Sequence, residues 1–138
     1  MPVVEELIRT EQDGTISFGN YKLGQKSKKS DFEYQGDIYK VKTYNEITKL
    51  ERNGSFVYES VPGTAVEHFS AKHDGVEFTV SGNKDAQITV QLEDDTEYEV
   101  YVDGVAVGGM KTNMSGKLSV SVELEEGTSV KVKAVKRA

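Results

Sequence analysis

Two histidines, His68 and His73, are the side chains in this sequence best suited to metal binding or acid–base catalysis. Their spacing of five positions places them on opposite faces of a strand, and no third ligand follows at a metal-binding spacing. No G-x-S-x-G motif supplies a serine nucleophile, and the chain has no cysteine to act as a thiolate. We therefore predict no catalytic residue, no metal site and no cofactor.

Carboxylates cluster at Glu93-Asp94-Asp95, in a segment that the turn pattern predicts to be a loop. A solvated acidic turn and a weak surface calcium site both fit this cluster, since calcium needs several converging oxygen ligands. A glycosidase needs two carboxylates that face each other about 5–10 Å apart, and nothing in the sequence selects such a pair. The glycines between Gly104 and Gly109 lead from a turn into a strand, which predicts a hairpin rather than a phosphate-binding loop.

Aromatic residues on predicted strands are the remaining candidates for ligand binding. Tyr101 is the one bulky residue on the outward side of its strand, where Glu99 and Asp103 flank it. Apolar side chains fall on both faces of the strand at residues 38–44, which indicates a strand covered on both sides, for instance by a second subunit. Such rings serve either as core and interface packing or as a platform for a ligand. The predicted ligand-binding residues are Tyr39, Tyr44, Tyr58 and Tyr101.

The elements that would position these side chains are strands, because apolar and polar residues alternate along most of the chain. The alternation is clearest at residues 118–124 and recurs at residues 76–81, 88–92, 98–102 and 130–134. A period of two is typical of antiparallel strands with one face on a core. Turn dipeptides separate these runs, among them Asn53-Gly54, Asp74-Gly75 and Asp103-Gly104.

We predict ten or eleven short strands in one all-β domain over residues 1–138, arranged as a two-layer antiparallel β-sandwich of jelly-roll or immunoglobulin-like type. Residues 47–52 are predicted to be a strand that enters the Asn53-Gly54 hairpin. The polar stretch Gln25–Asp31 reads as a solvated loop, with a basic recognition patch as the alternative. Apolar residues change from even to odd positions after Phe18, so we predict either a β-bulge or a turn at Gly19-Asn20.

The net charge of -6 and the pI near 5.0 argue against a general affinity for nucleic acid or for anionic membranes, because both require a basic surface. The N-terminal residues are acidic and lack the basic and apolar regions of a secretory signal. No apolar run approaches the roughly 20 residues of a membrane-spanning helix. We expect a cytoplasmic location.

Three segments carry a resemblance to a known family: GDIYKVKT at residues 36–43, EITKLERNG at 46–54 and VYESVPGTAV at 57–66. Together they resemble small single-domain Firmicutes proteins that are labelled endosialidase-like, and the similarity runs over nearly the whole chain. The resemblance implies a bacterial protein and sialic-acid chemistry. Sialidases hold the sugar carboxylate with an arginine cluster, whereas Arg9, Arg52 and Arg137 are scattered through this sequence, so no site residue carries over.

The function that these observations favour is a non-catalytic binding or assembly module that forms a homo-oligomer through the aromatic strands of its first half. The alternative is a carbohydrate-active module, either a glycan binder or a hydrolase. Two or more outward aromatic rings over a concave sheet would favour a glycan binder, and a pair of carboxylates in a cleft would favour a hydrolase. A continuous apolar patch would favour assembly.

Overall fold

The computed structural model describes residues 3–137, and its regular elements are all strands. In chain order they are β1 (Ile8–Thr10), β2 (Ile16–Phe18), β3 (Ser27–Tyr34), β4 (Asp37–Tyr44), β5 (Ile47–Arg52), β6 (Ser55–Val61), β7 (Ala65–Lys72), β8 (Gly75–Ser81), β9 (Ala86–Gln91), β10 (Glu97–Val102), β11 (Val105–Lys111), β12 (Lys117–Val122) and β13 (Ser129–Lys136). In this part of the chain no helix is long and apolar enough to cross a membrane.

The strands form two antiparallel sheets that pack face to face, which confirms the predicted β-sandwich. Sheet A has seven strands in the order β1-β2-β7-β8-β13-β10-β11, and sheet B has six in the order β12-β9-β6-β5-β4-β3. The described strands outnumber the roughly seven to nine of an immunoglobulin domain and the eight of a jelly roll. Sheet B is a meander from β3 to β6, to which β9 and β12 are added at one side.

The prediction of a loop at Gln25–Asp31 is wrong for most of that segment, because β3 begins at Ser27 and pairs with β4. The polar sequence of β3 shows no alternation of apolar residues, because β3 lies at the edge of sheet B and its residues Lys28 to Asp31 are exposed. β2 ends at Phe18 and the next turn lies at Tyr21-Lys22, so the turn follows Gly19-Asn20 and does not occupy it. The predicted strand at residues 47–52 is confirmed as β5.

The core lies between the sheets and is built around four aromatic rings, each on a different strand. Tyr58 contacts Phe18 and Phe78 edge to face, with ring centroids 5.2 and 5.6 Å apart. Phe69 stacks on Phe78 at 5.6 Å. Alternating aliphatic residues from both sheets surround these rings. Edge-to-face pairs add about 0.5–1.5 kcal/mol each to the free energy of burial, so this cluster orients as well as fills the core.

A chain of buried hydroxyl groups crosses the core where the chain passes from sheet B to sheet A. Thr48 Oγ1 donates to the Thr64 carbonyl at 2.8 Å and accepts from the Thr64 N–H at 3.0 Å. Thr43 Oγ1 lies 2.7 Å from Thr48 Oγ1 and accepts from the Asn20 N–H at 2.9 Å. The Tyr58 hydroxyl lies 2.8 Å from Thr64 Oγ1, so the network links the aromatic cluster to the crossover.

Two glycines let the backbone come close enough to form this network. A Cβ at Gly19 would lie 2.5 Å from the Thr64 carbonyl oxygen, and a Cβ at Gly63 would lie 1.9 Å from the carbonyl oxygen of Tyr44. Gly19 also has a φ of +99°, which residues with a side chain rarely adopt. A larger residue at either position would push the crossover away from its hydrogen-bond partners.

We expect Thr48→Val to lower the free energy of unfolding by about 2–4 kcal/mol, because it leaves the buried Thr64 N–H and carbonyl without their partner. Urea unfolding followed by circular dichroism measures this loss. Thr89→Val is the matched control, since Thr89 lies outward on β9 and bonds only Ser119. That change should stay within about 0.5 kcal/mol of the native protein. Equal losses in the two variants would contradict the role assigned to Thr48.

Candidate functional site

Four hairpin turns gather at one end of the sandwich, here called the turn end. They connect β1 to β2, β3 to β4, β5 to β6 and β7 to β8, and the antiparallel order of the sheets places all four at the same end. The links from β9 to β10 and from β11 to β12 lie there too. Loops collected at one end of a sandwich are a common place for a ligand site, because the sheets beneath hold them rigidly.

Two adjoining pockets of about 400 and 380 Å³ open at the turn end between the sheets. They share the residues Arg52, Phe69, Ala71 and Lys72, so together they form one groove, here called the end cleft. Tyr34 and Tyr39 line one half of the end cleft, and Phe56, Val57, Leu92 and Tyr98 line the other. Its volume is in the range of pockets that hold small molecules, about 300–1,000 Å³.

Arg52 and Lys72 give the end cleft its free cationic groups. Among residues 3–137 neither side chain forms an ion pair, although acidic side chains also line the cleft. Arg52 lies beside the hydroxyl of Tyr39, whose ring meets that of Tyr34 edge to face at 5.6 Å. Burial raises the pKa of both tyrosines above the usual value, so they are neutral hydrogen-bonding groups at pH 7.

Three carboxylates line the end cleft, Asp13, Asp37 and Glu93, and Asp13 lacks the raised pKa that the general acid of a glycosidase requires. Asp13 accepts from Thr15, and its second oxygen lies 2.9 Å from Nδ1 of His68. These contacts, led by the Thr15 hydroxyl, lower the pKa of Asp13, whereas a general acid requires a raised pKa. Asp37 accepts a hydrogen bond from the Asn53 side chain at 2.9 Å. Glu93 pairs with Lys136 at 2.8 Å, so each of the three carboxylates contacts a neighbouring polar side chain.

A polar cluster below His68 holds the turn that carries Asp13. Ser17 is fully buried, donates to the Glu11 carboxylate and accepts from the His68 N–H at 3.1 Å. Arg9 Nε donates to the same carboxylate at 2.9 Å. The hydrogen bond from Ser17 is the main cause that lowers the pKa of Glu11. The hydrogen bond and charge of Arg9 lower it further. Ser17 thus contacts His68 through the backbone N–H of His68, whereas the imidazole ring faces Asp13 and the Thr15 hydroxyl, 3.2 Å from its Nδ1.

The predicted ligand-binding residues do not come together in the fold. Tyr58 is fully buried in the core, where its ring packs between the sheets, so its predicted role in ligand binding is wrong. Tyr39 is 7% exposed, because it faces the core from β4, and only its hydroxyl end reaches the end cleft. The sequence pattern found these rings but could not separate buried from exposed ones.

Tyr44 and Tyr101 lie on the outer faces of different sheets. Tyr44 is half-buried on the outer face of sheet B, where its hydroxyl donates to Glu46 at 3.2 Å and Lys26 Nζ lies 5.9 Å from its ring centre. Tyr101 lines a hollow of about 730 Å³ on the outer face of sheet A, among lysines and Arg137. No second aromatic residue lines this hollow, so it lacks the paired rings expected of a glycan platform.

The side of the sandwich formed by β11 and β12, here called the open side, exposes apolar residues. Val105 and Val107 on β11 are 65% and 49% exposed. A groove of about 750 Å³ runs between the two edge strands and includes Val102, Val122 and Val130 in its lining. This surface lies in the second half of the chain, whereas the sequence pattern predicts association through aromatic strands of the first half.

Sequence reasoning missed Arg52, Lys72 and Tyr34 as residues that share a site. Each ends a strand next to a hairpin turn, and turn dipeptides mark the hairpins after Arg52 and Lys72, but the pairing of β7 with β2 is not visible in any local pattern. Within residues 3–137 no group of three or more histidine or acidic side chains is placed to hold a metal ion. Comparison with known protein families, curated proteins and solved structures found no match for the chain.

We expect Glu11→Gln to reduce the free energy of unfolding at pH 7 by about 1–2 kcal/mol, because it weakens a charge-assisted hydrogen bond and an ion pair. A carboxyl group with a lowered pKa stabilises the fold above its unfolded-state value, about 4.3, and loses that effect as the pH falls through the folded-state pKa. The difference between variant and native protein should therefore shrink in acid. Urea unfolding at pH 7 and pH 3 tests this.

Glu6→Gln is the control, because Glu6 contacts Arg9 only through an exposed pair at 3.5 Å. It should leave stability nearly unchanged at both pH values. A Glu11→Gln defect of the same size at pH 3 as at pH 7 would contradict the electrostatic origin of the effect.

Proposed function

We propose that this protein is a non-catalytic assembly module whose copies associate edge to edge through β11. One observation carries this proposal: β11 is the last strand of sheet A and has no charged side chain from Val105 to Met110. The strand pairs with β10 on one side, and its other side offers free N–H and C=O groups to a further strand. An uncharged, apolar edge of this kind is a template for pairing with another chain.

The opposite side of the sandwich has edges that resist such pairing. β3 carries Lys28, Lys29 and Asp31, and its register with β4 shifts between Lys29 and Phe32. β1 is three residues long. Charges, bulges and short length are the usual ways in which a sheet edge avoids pairing with another molecule. β11 shares one of these features, an irregular register with β10 at Val107, but it is seven residues long and uncharged from Val105 to Met110, which supports a specific contact on the open side.

A second copy of this chain is the partner that β11 fits. An antiparallel pair of identical strands places Asp103, before β11, toward the end of the partner strand, where Lys111 lies. The uncharged centre of the strand then meets itself without repulsion between like charges. Val105 and Val107, exposed in one copy, would be covered in the pair. Such a contact is self-complementary and closes as a two-fold dimer.

We expect the native protein to sediment as a dimer at micromolar concentration and Val107→Lys to sediment as a monomer, because a lysine places like charges next to each other at the paired edge. Analytical ultracentrifugation over a hundredfold range of concentration measures the change. Val61→Lys is the matched control, since Val61 is 56% exposed on β6, inside sheet B. It should leave the dimer intact. A native protein that stays monomeric at the highest concentration would refute the proposal.

Glycan binding in the end cleft is the second candidate function. The observation that favours it is the free guanidinium of Arg52 beside the Tyr39 hydroxyl, with the Tyr34 ring at the same wall. Arginine can donate two parallel hydrogen bonds to a sugar carboxylate, and tyrosine rings pack on the apolar face of a sugar. Binding there is independent of association through β11, which lies on the open side.

For this second function we expect one class of sugar, from a panel of neutral and sialylated oligosaccharides, to raise the melting temperature. Arg52→Gln should weaken that binding at least tenfold, or about 1.4 kcal/mol, because the amide cannot replace the charged, forked donor. Arg137→Gln is the control, since Arg137 pairs with Glu99 at 2.7 Å outside the cleft. Equal affinity of the Arg52 variant and the native protein would exclude the end cleft as the sugar site.

A further inference from the structure

Three lysines stand in one row across sheet B, on its outer face. The register places Lys28 of β3 directly opposite Lys42 of β4, and Lys42 directly opposite Lys49 of β5. Lys42 faces outward, because its neighbours Val41 and Thr43 are buried. Directly opposed side chains in a sheet lie about 4.5–5.5 Å apart at Cβ, so the row places three positive charges in succession.

Two further lysines extend the row into a patch. Lys40 lies two residues before Lys42 on the same face of β4, and Lys26 lies close to Lys42 and over the Tyr44 ring. Burial and then the four surrounding lysines lower the pKa of Lys42, which reflects their mutual repulsion. We call the five residues the lysine patch: Lys26, Lys28, Lys40, Lys42 and Lys49.

The lysine patch is only partly neutralised by the acidic groups around it. Glu51 contacts Lys49 at 3.6 Å and stands directly opposite Lys40, and Glu59 stands opposite Lys49 in β6. Among the described residues the other four lysines of the patch form no ion pair. Like charges placed directly opposite each other destabilise a sheet, so the fold carries a repulsion here that an anionic ligand would relieve. The patch is also unusual in a chain with a net charge of -6.

We propose that the lysine patch binds an extended anionic polysaccharide, in which acidic groups are spread along a chain of sugars. The row offers charges at intervals close to the spacing of strands, about 4.8 Å, and Tyr44 at its border can pack on a sugar ring. Double-stranded nucleic acid carries one charge per about 1.7 Å, an interval much shorter than the spacing of about 4.8 Å between the lysines of the row. The patch also lacks arginine and the paired aromatic rings of a single-strand binder.

The test measures binding of the protein to immobilised heparin and to polygalacturonate, with dextran and single-stranded DNA for comparison. The native protein should bind both acidic polysaccharides at 50 mM salt, with the affinity falling as salt rises, and should bind dextran and DNA at least tenfold more weakly. Absence of binding to both acidic polysaccharides, or equally tight binding to DNA, would overturn the proposal.

The triple variant Lys28→Gln, Lys42→Gln, Lys49→Gln should lose at least tenfold in affinity. Its unfolding midpoint should be at least as high as that of the native protein, because the change removes repulsion between opposed lysines. The control with the same change in net charge replaces Lys22, Lys84 and Lys133, which lie outside the patch, and should lose less than threefold. Equal losses in both triple variants would assign the binding to net charge and refute a site at the patch.

Discussion

The fold depends on the buried hydrogen bonds by which Thr48 holds the backbone of Thr64. At that point the chain leaves sheet B and enters sheet A, so the contact sets how the two sheets sit on each other. Polar groups in the core are costly unless each has a partner, and this network gives partners to both backbone groups of Thr64. Gly19 and Gly63 are required because any side chain there would collide with a backbone carbonyl oxygen.

The sandwich that follows from this crossover has two unlike sides. At one side, Tyr34 of β3 donates to the carbonyl of Gly14 in the hairpin between β1 and β2, which ties sheet B to sheet A. At the other side, β11 and β12 leave a groove between the sheets. The closed side thus tethers its edge strands, while the open side leaves β11 paired on one flank only. The proposed association surface at β11 rests on this asymmetry.

Much of the fold is predictable from the sequence, because a strand with one solvent-exposed face and one buried face alternates polar and apolar residues. The strands from β8 to β13 other than β11 show this alternation, and β5 with its Asn53-Gly54 hairpin was placed correctly. The pattern failed for β3, since an edge strand can expose both faces and then resembles a polar loop. The end cleft and the lysine patch depend on contacts that no local pattern shows. The packing of sheet B on sheet A brings Arg52 to Lys72, and the register of β3 with β4 brings Lys28 to Lys42.

The proposed association surface and the lysine patch occupy different parts of the molecule, and the geometry of the proposed dimer would make them cooperate. Antiparallel pairing of β11 with a copy requires a two-fold axis perpendicular to sheet A, which keeps the outer faces of both copies of sheet B on the same side. Two lysine patches in such a dimer face one direction. A polymer long enough to reach both would bind with the advantage of a linked second site, whereas a short fragment would not. Assembly through β11 would in this way convert a weak electrostatic contact into a selective response to polymer length.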